Sequence, residues 1–198
     1  MTNTVDTDKR RFLTNATTVV GSIGAVAVAI PFISSMSPSA KAQAAGAPVE
    51  VDISKLEIGQ LLTIEWRGKP VWIFRRSEEI LSTLTTQEDQ LRDPHSDEQD
   101  QQPSCCKNAT RAIRDDLMVV VGICTHLGCS PTYRPELAPA DLGSDWQGGF
   151  FCPCHGSKFD LAGRVYKSVP APTNLVVPPY YFINDYQLLI GQEAKGTA

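Results

Sequence analysis

The chain has 198 residues and a mass of 21.6 kDa, which suits one domain with an appendage or two very small domains. Its 18 Lys and Arg against 22 Asp and Glu give a formal net charge of −4. A nucleic-acid-binding protein normally shows a basic stripe, so we expect no nucleic-acid partner. Apolar residues make up 42%, too many for a disordered chain. The six Cys are too sparse for a disulfide-built mini-protein but suffice for a metal site.

The N-terminal region predicts a membrane segment. Positions 12–40 contain no charged residue, and the basic cluster Lys9-Arg10-Arg11 precedes them. As a helix, Thr14–Ser35 would be roughly 33 Å long at about 1.5 Å per residue, enough to cross a bilayer. A buried helix of a soluble protein is the alternative, but such helices rarely lack charge over this length. We predict a transmembrane helix, an uncleaved signal anchor, over residues 14–36.

The basic cluster also predicts the orientation of the chain. Positive residues before a span favour the cytoplasm, so residues 1–13 are expected there and the rest in the periplasm, with a single pass through a bacterial inner membrane. Arg10-Arg11-Phe12-Leu13 resembles a twin-arginine export signal. Small-residue sites near Ala42 would permit cleavage, although the length of the span favours an uncut anchor. Residues 37–48 lack core-forming side chains and are expected to form a flexible linker, either a passive spacer or a hinge.

The remaining residues, 49–195, predict a mainly antiparallel β domain. Helical periodicity is scarce there, and apolar segments alternate with turn signals. Residues 66–69 and 184–185 are predicted hairpin turns, and Ser77 is predicted to cap a short helix. The polar stretch 85–103 and the segment 134–149 are interpreted as surface excursions. The predicted strands are Val49–Ile53, Gly59–Glu65, Val71–Phe74, Leu117–Ile123, Phe150-Phe151, Tyr180–Ile183 and Tyr186–Ile190.

Two short boxes, CTHLGC at 124–129 and CPCHGS at 152–157, hold four of the six Cys and two of the three His. Their spacing can gather two Cys and two His around one centre, and the two thiols left over can pair in an oxidising compartment. The four candidate ligands are Cys124, His126, Cys152 and His155, and the remaining pair is Cys129 and Cys154.

The residue types leave two metal groups open. A Cys₂His₂ set can hold zinc as a closed structural site. It can also hold a [2Fe–2S] cluster with two thiolates on one iron and two imidazoles on the other, which transfers one electron coupled to one proton. Gly128 and Gly156 would allow tight turns that place amide donors near cluster sulfur.

At these residues the sequence resembles the Rieske iron–sulfur proteins, and most closely the Rieske subunits of proteobacterial quinol–cytochrome c oxidoreductase, the cytochrome bc1 complex. The RRFL motif with its span, the polar segment LRDPHSDEQDQQP and the segment SVPAP extend the resemblance over most of the chain. The resemblance implies an antiparallel β Rieske domain, in which a cluster-binding subdomain at about residues 122–172 is inserted into a base domain.

The resemblance also implies a role for each site residue. Cys124 and Cys152 would bind the inner iron and His126 and His155 the outer iron of one [2Fe–2S] cluster, while Cys129 and Cys154 would form a disulfide. Leu127 would dock on cytochrome b, and Ser157 would donate its hydroxyl to a bridging sulfide. Residues from Pro170 to Pro172 would cover the cluster. Phe159 stands where relatives usually have a Tyr that donates to a cluster thiolate, which predicts a lower reduction potential.

The implied function is electron transfer within a membrane complex. Quinol, more plausibly ubiquinol, would bind at cytochrome b and hydrogen-bond to His155, which would accept a proton. The head would then carry one electron to cytochrome c1 and contribute to a proton gradient, within a dimeric complex and without activity of its own. One alternative is the Rieske small subunit of a periplasmic molybdenum oxidase such as arsenite oxidase. A zinc-binding structural module is the other.

Overall fold

The computed structural model describes residues 6–40, 42 and 46–194. The chain divides into an N-terminal unit, Met1–Ala44, and a β-rich head, Ala45–Ala198. The predicted linker 37–48 includes the boundary between these units. Lys41 and residues 43–45 of that linker lie outside the described residues.

In the N-terminal unit, helix α1 spans Thr7–Ser35. It begins seven residues before the predicted start because the Asp6 side chain accepts hydrogen bonds from the amides of Asp8 and Lys9 at 3.1 Å and so caps it. Its 29 residues extend about 44 Å, more than the roughly 30 Å of bilayer hydrocarbon. The helix is therefore long and apolar enough to span a membrane.

Hydroxyl groups along α1 bond to the helix's own backbone. Thr14, Thr17, Thr18 and Ser34 each donate to the carbonyl four residues earlier, at 2.8–2.9 Å. Such local bonds satisfy polar side chains that have no water partner within lipid. Small polar residues in this segment are thus compatible with a membrane span.

The head consists of three antiparallel three-stranded sheets, as the sequence predicted. The first has the order β1-β9-β8, the second β2-β3-β4, and the third β5-β6-β7. The third sheet is built from residues between β4 and β8, within the predicted cluster-binding subdomain. The strands are β1 Val49–Asp52, β2 Leu61–Trp66, β3 Lys69–Arg75, β4 Leu117–Val121, β5 Thr132–Arg134, β6 Gly149–Cys152, β7 Ser157–Phe159, β8 Tyr180–Asn184 and β9 Gln187–Ile190, with helix α2 at Glu78–Thr86.

The first predicted turn and the predicted cap are present, whereas the second turn lies one residue later than predicted, at Asp185-Tyr186, because Asn184 still pairs with Gln187. Trp66 pairs with Lys69 across a two-residue turn in which Arg67 and Gly68 both have positive φ, as a type I′ hairpin requires. Ser77 accepts a hydrogen bond from the Ile80 amide and caps α2. Strand β4 ends two residues earlier than predicted. Gly122, which follows it, lies so close to the Trp72 indole that a Cβ atom would overlap the ring.

One main hydrophobic core joins the three sheets. Strand β4 is buried along its whole length, and the core extends from it to Phe150 and Phe159 of the third sheet. The third sheet, which carries the second box, is therefore packed directly on the base of the head.

Two segments that were interpreted as surface excursions contribute to the interior, so that interpretation is wrong in part. Leu91, from the polar stretch 85–103, packs with Leu142 and Trp146, from 134–149, against Tyr166 in a second core cluster. Gln87, Ser96 and Gln102 are buried as well. Their polarity suggested that these side chains are exposed to solvent, but buried polar groups are stable when they are hydrogen-bonded. Gln102, for example, donates to the carbonyls of Ser96 and Glu98.

Candidate metal centre

The first box forms a tight loop that follows β4. The Cys124 amide donates to the Cys129 carbonyl at 2.7 Å, and the Gly128 amide donates to the Cys124 carbonyl at 3.1 Å. Gly128 has φ +85°, a conformation that glycine adopts without strain. The loop leaves the Leu127 side chain 72% exposed, in agreement with its predicted place at a docking tip.

The second box connects β6 to β7 in the same way. The Gly156 amide donates to the Cys152 carbonyl at 2.9 Å, and Gly156 has φ +78°. Cys152 ends β6 and pairs with Ser157 at the start of β7. The box is thus the turn of a β-hairpin, and the strands behind it hold its backbone in place.

A disulfide between Cys129 and Cys154 joins the two loops, which confirms the predicted pairing. The Sγ atoms of Cys129, Cys152 and Cys154 all lie within 4.8 Å of one another. Because thiolates rather than disulfide sulfurs are the metal ligands, only Cys152 of these three is a candidate ligand. The bridge therefore lies beside the ligand thiols and fixes the loops that carry them.

The two cysteine ligand candidates lie together in the interior, and the two histidine candidates lie together nearer the surface. Cys124 and Cys152 are 2% and 1% exposed, and their thiols interact with each other. The rings of His126 and His155 are edge to face with centroids 4.8 Å apart, and His155 is exposed. Two adjacent buried sulfur donors and two adjacent, more accessible nitrogen donors suit a binuclear group with thiolates on one iron and imidazoles on the other.

Burial raises the pKa of the Cys152 thiol, and the neighbouring Cys124 raises it further. A positive metal ion supplies the attraction that a buried thiolate needs, so the environment favours metal-bound over free thiolate. The donor set and its burial therefore fit an iron–sulfur group.

A third loop, residues 170–172, is tied to both boxes. The Thr125 hydroxyl donates to the Thr173 carbonyl at 2.7 Å, and the Ala171 amide donates to Ser157 Oγ at 3.0 Å. Pro170 and Pro172 are exposed while Ala171 is buried. The Ser157 hydroxyl accepts this bond and keeps its own proton available for donation, as its predicted role requires.

Sequence reasoning missed the support for this loop. Arg92, from the polar stretch, donates to the carbonyls of Val169 and Pro172 at 3.2 and 3.3 Å. An isolated arginine in a charged segment gives no sequence signal for such a contact. Only the folding of that segment against residues about 80 positions later creates it.

The segment 160–164, just after β7, is held by buried arginines that were also missed. Asp160 and Arg164 form an ion pair at 2.7 Å with both side chains fully buried. Arg76 donates to the Leu161 carbonyl, and Arg111 donates to the carbonyls of Ala162 and Gly163. Burial lowers the pKa of Arg76 and of Arg111 to about 10, so both remain charged at neutral pH.

Phe159 is fully buried on β7 opposite Phe150. It belongs to the same core cluster as Cys124 and Cys152. Its side chain carries no hydrogen-bond donor. The lower reduction potential predicted from this position therefore depends on a phenyl ring that packs in the main core.

Comparisons with known proteins agree with this geometry. The family model described as Rieske [2Fe-2S] domain matches residues 48–181, and a model described as Ubiquitinol-cytochrome C reductase Fe-S subunit TAT signal matches residues 1–39. The second match supports the twin-arginine motif at Arg10-Arg11.

Several curated relatives share the name Ubiquinol-cytochrome c reductase iron-sulfur subunit. The one from Allochromatium vinosum is 60% identical over 190 residues, covering 96% of this chain and 91% of the relative. The one from Blastochloris viridis is 43% identical over 190 residues, covering 96% of each. A solved chain titled Hyperthermophilic respiratory Complex III is 24% identical, with a TM-score of 0.47. The match covers 88% of this chain and 98% of the solved chain. This likeness is too distant to add to the sequence relationship.

Proposed function

This chain belongs to the family of iron–sulfur subunits of ubiquinol–cytochrome c reductase, and from that premise we propose how its residues serve the complex. The resemblance inferred from the two boxes is confirmed. The chain is a Rieske [2Fe–2S] electron-transfer subunit of an oxidoreductase complex. Family membership thereby decides against the molybdenum oxidase subunit and the zinc module.

Cys124 and Cys152 would hold one iron of the cluster, and His126 and His155 would hold the other. The observation that carries this assignment is the pair of buried, interacting thiols beside a pair of touching imidazoles. When bound, the cluster supplies a one-electron acceptor and donor at the tip of the head. The disulfide between Cys129 and Cys154 keeps the two ligand loops together.

His155 positions the quinol substrate. Its ring is exposed, so the ring nitrogen that does not bind iron can hydrogen-bond to a quinol in cytochrome b and accept its proton. Leu127 provides apolar surface for docking on cytochrome b. After docking there, the head delivers its electron to cytochrome c1, within a complex that we expect to be dimeric.

Residues next to the two boxes hold the ligand loops in place and limit their contact with solvent. Ser157 accepts a hydrogen bond from the Ala171 amide, and its hydroxyl proton would be free to donate to cluster sulfur. The loop from Pro170 to Pro172 covers the cluster, and Arg92 and Thr125 hold it in place. Hydrogen bonds to cluster sulfur raise the reduction potential, because they stabilise the more negative reduced state.

The chain crosses the bacterial inner membrane once through α1, with residues 1–13 in the cytoplasm, the head in the periplasm and 37–48 as a flexible linker. The free thiol of Cys105 is exposed on the head and provides a test. In intact cells with a permeabilised outer membrane, a membrane-impermeant maleimide should label Cys105, and a Cys105→Ser variant should remain unlabelled. Labelling of Cys105 only after the inner membrane is broken would show that the head lies on the cytoplasmic side, opposite to the proposed orientation.

The cluster assignment is tested by electron paramagnetic resonance on the reduced, purified complex. We expect a Rieske-type signal with an average g value below that of the free electron. His155→Ala and Cys152→Ala should abolish both the signal and quinol oxidation. His95→Ala removes an exposed histidine of the polar stretch and should leave both unchanged. A normal signal in His155→Ala would refute the ligand assignment.

A further inference from the structure

A cavity of about 380 Å³ lies beside the second box, and the function proposed above does not use it. Lys158 lies between Ser157 and Phe159 on β7, and those two neighbours face the main core. Because side chains alternate along a strand, Lys158 points to the opposite face of the third sheet. There residues 142–146 line one side of the cavity, which reaches Gly156.

Two lysines from different segments line the cavity. Lys158 Nζ donates to the Leu142 carbonyl at 3.0 Å and lies 5.9 Å from the centroid of the Trp146 ring. Lys167 Nζ donates to the Asp89 carbonyl at 2.9 Å. Among the described residues, neither lysine forms an ion pair. Each ammonium has three N–H donors, so both have hydrogens left for a ligand.

The charges of the lining residues favour an anion. Asp145 is the only carboxylate among the lining residues of the cavity, and with the two lysines it leaves one formal positive charge. A positively charged concave surface attracts an anion more strongly than flat surface does, because the protein walls lower the local dielectric constant. The volume lies within the range of sites for small ligands and readily admits an acidic side chain.

We propose that this cavity binds a carboxylate, held by Lys158 and Lys167 on a floor formed by Trp146. The inference deepens the proposed function, because Gly156 lines the cavity and directly follows the ligand His155. A carboxylate bound there contacts the loop that carries the outer ligand. It comes either from an acidic side chain of a docking partner or from a free organic acid.

The first arm of the test uses the intact complex. A water-soluble carbodiimide joins an ammonium to an adjacent carboxylate as an amide, and mass spectrometry of the digest identifies both residues. An acidic partner side chain should appear as a cross-link from Lys158 or Lys167 to another subunit. The double variant Lys158→Met/Lys167→Met should lose it, whereas Lys55→Met, at an exposed lysine of the base domain, should retain it.

The second arm tests a free acid. Succinate is titrated into the purified full chain in detergent by calorimetry. We expect binding that weakens about tenfold, equivalent to about 1.4 kcal/mol, when either lysine is replaced by Met. Lys158→Arg keeps the charge and should bind nearly as well as the wild type. An unchanged resonance signal in each variant shows that the head is folded and loaded.

The outcomes separate the two proposals. A cross-link to another subunit, or succinate binding that depends on the lysines, supports the site and identifies the source of the carboxylate. No lysine-dependent cross-link and no succinate binding in a chain with a normal Rieske signal overturn the carboxylate site alone. Failure of the cluster assignment would instead appear as loss of the Rieske signal in the wild type.

Discussion

At the residue scale, Phe159 occupies the position on β7 from which we expect a tyrosine hydroxyl to reach cluster sulfur. Phe159→Tyr should raise the midpoint potential, because a phenol hydroxyl that donates to a ligand thiolate withdraws electron density and stabilises the reduced cluster. The measurement is a potentiometric titration followed by electron paramagnetic resonance. The matched control is Phe150→Tyr at its buried cross-strand partner, which should leave the potential unchanged. An unchanged or lower potential in Phe159→Tyr would contradict the argument.

Leu127 is the second residue whose role can be isolated. Leu127→Ala should reduce quinol oxidation roughly tenfold or more, since burying a leucine in a partner contributes about 1.5–3 kcal/mol. The Rieske signal should stay intact because the side chain is exposed. Leu137→Ala is the matched control, since Leu137 is 68% exposed on the segment 134–149. Equal losses in both variants would show that exposed apolar area, rather than the tip, matters.

At the scale of elements, the disulfide between the two box loops stabilises the tip. It spans a sequence separation of 25 residues, and closing such a loop stabilises the folded state by about 3 kcal/mol. The double variant Cys129→Ala/Cys154→Ala should lower the free energy of unfolding by about that amount and accelerate cluster loss on heating. Cluster absorbance during thermal unfolding measures both. Cys105→Ser, at an exposed free thiol, should behave like the wild type.

The buried pair of Asp160 and Arg164 supports the segment behind the second box. Arg164 also donates to the Leu84 carbonyl at 2.6 Å, so it connects this segment to α2. Arg164→Met should destabilise the head by about 3–5 kcal/mol because it removes the direct ion-pair partner of a buried carboxylate. Arg134→Met breaks a more exposed pair with Asp141 and should cost about 0–1 kcal/mol. Denaturant unfolding measures the free energy of unfolding of both variants. Similar losses in the two would contradict the expected difference between a buried and an exposed ion pair.

At the scale of the whole molecule, the proposed delivery of an electron from cytochrome b to cytochrome c1 implies that the head moves between them. If residues 37–48 act as a hinge, replacing them with an equally long run of prolines should cut turnover, because polyproline is stiff and extended. The Rieske signal should be unaffected. A glycine–serine run of the same length is the control and should retain turnover. Unchanged turnover with the proline linker would mean that the linker is only a spacer.

Local patterns in the sequence were enough for much of this fold. The Arg67-Gly68 turn, the Ser77 cap and the apolar run of β4 depend on neighbours within a few residues, so periodicity and turn chemistry predict them. The start of α1 was missed by seven residues because its Asp6 cap lies among charged residues, outside the apolar run that defined the span. The two boxes are equally local, since each loop is closed by its own backbone hydrogen bonds.

The sequence by itself determined the family, the four ligand candidates, the disulfide partners and the apolar helix, because each depends on residue types at short and specific spacing. Only the tertiary structure decided that Arg76, Arg111 and Arg164 are buried and that part of segment 134–149 lines a cavity together with two lysines. A charged residue can be buried only where distant carbonyls and carboxylates converge on it. That convergence is a property of the packed chain, and no local pattern records it.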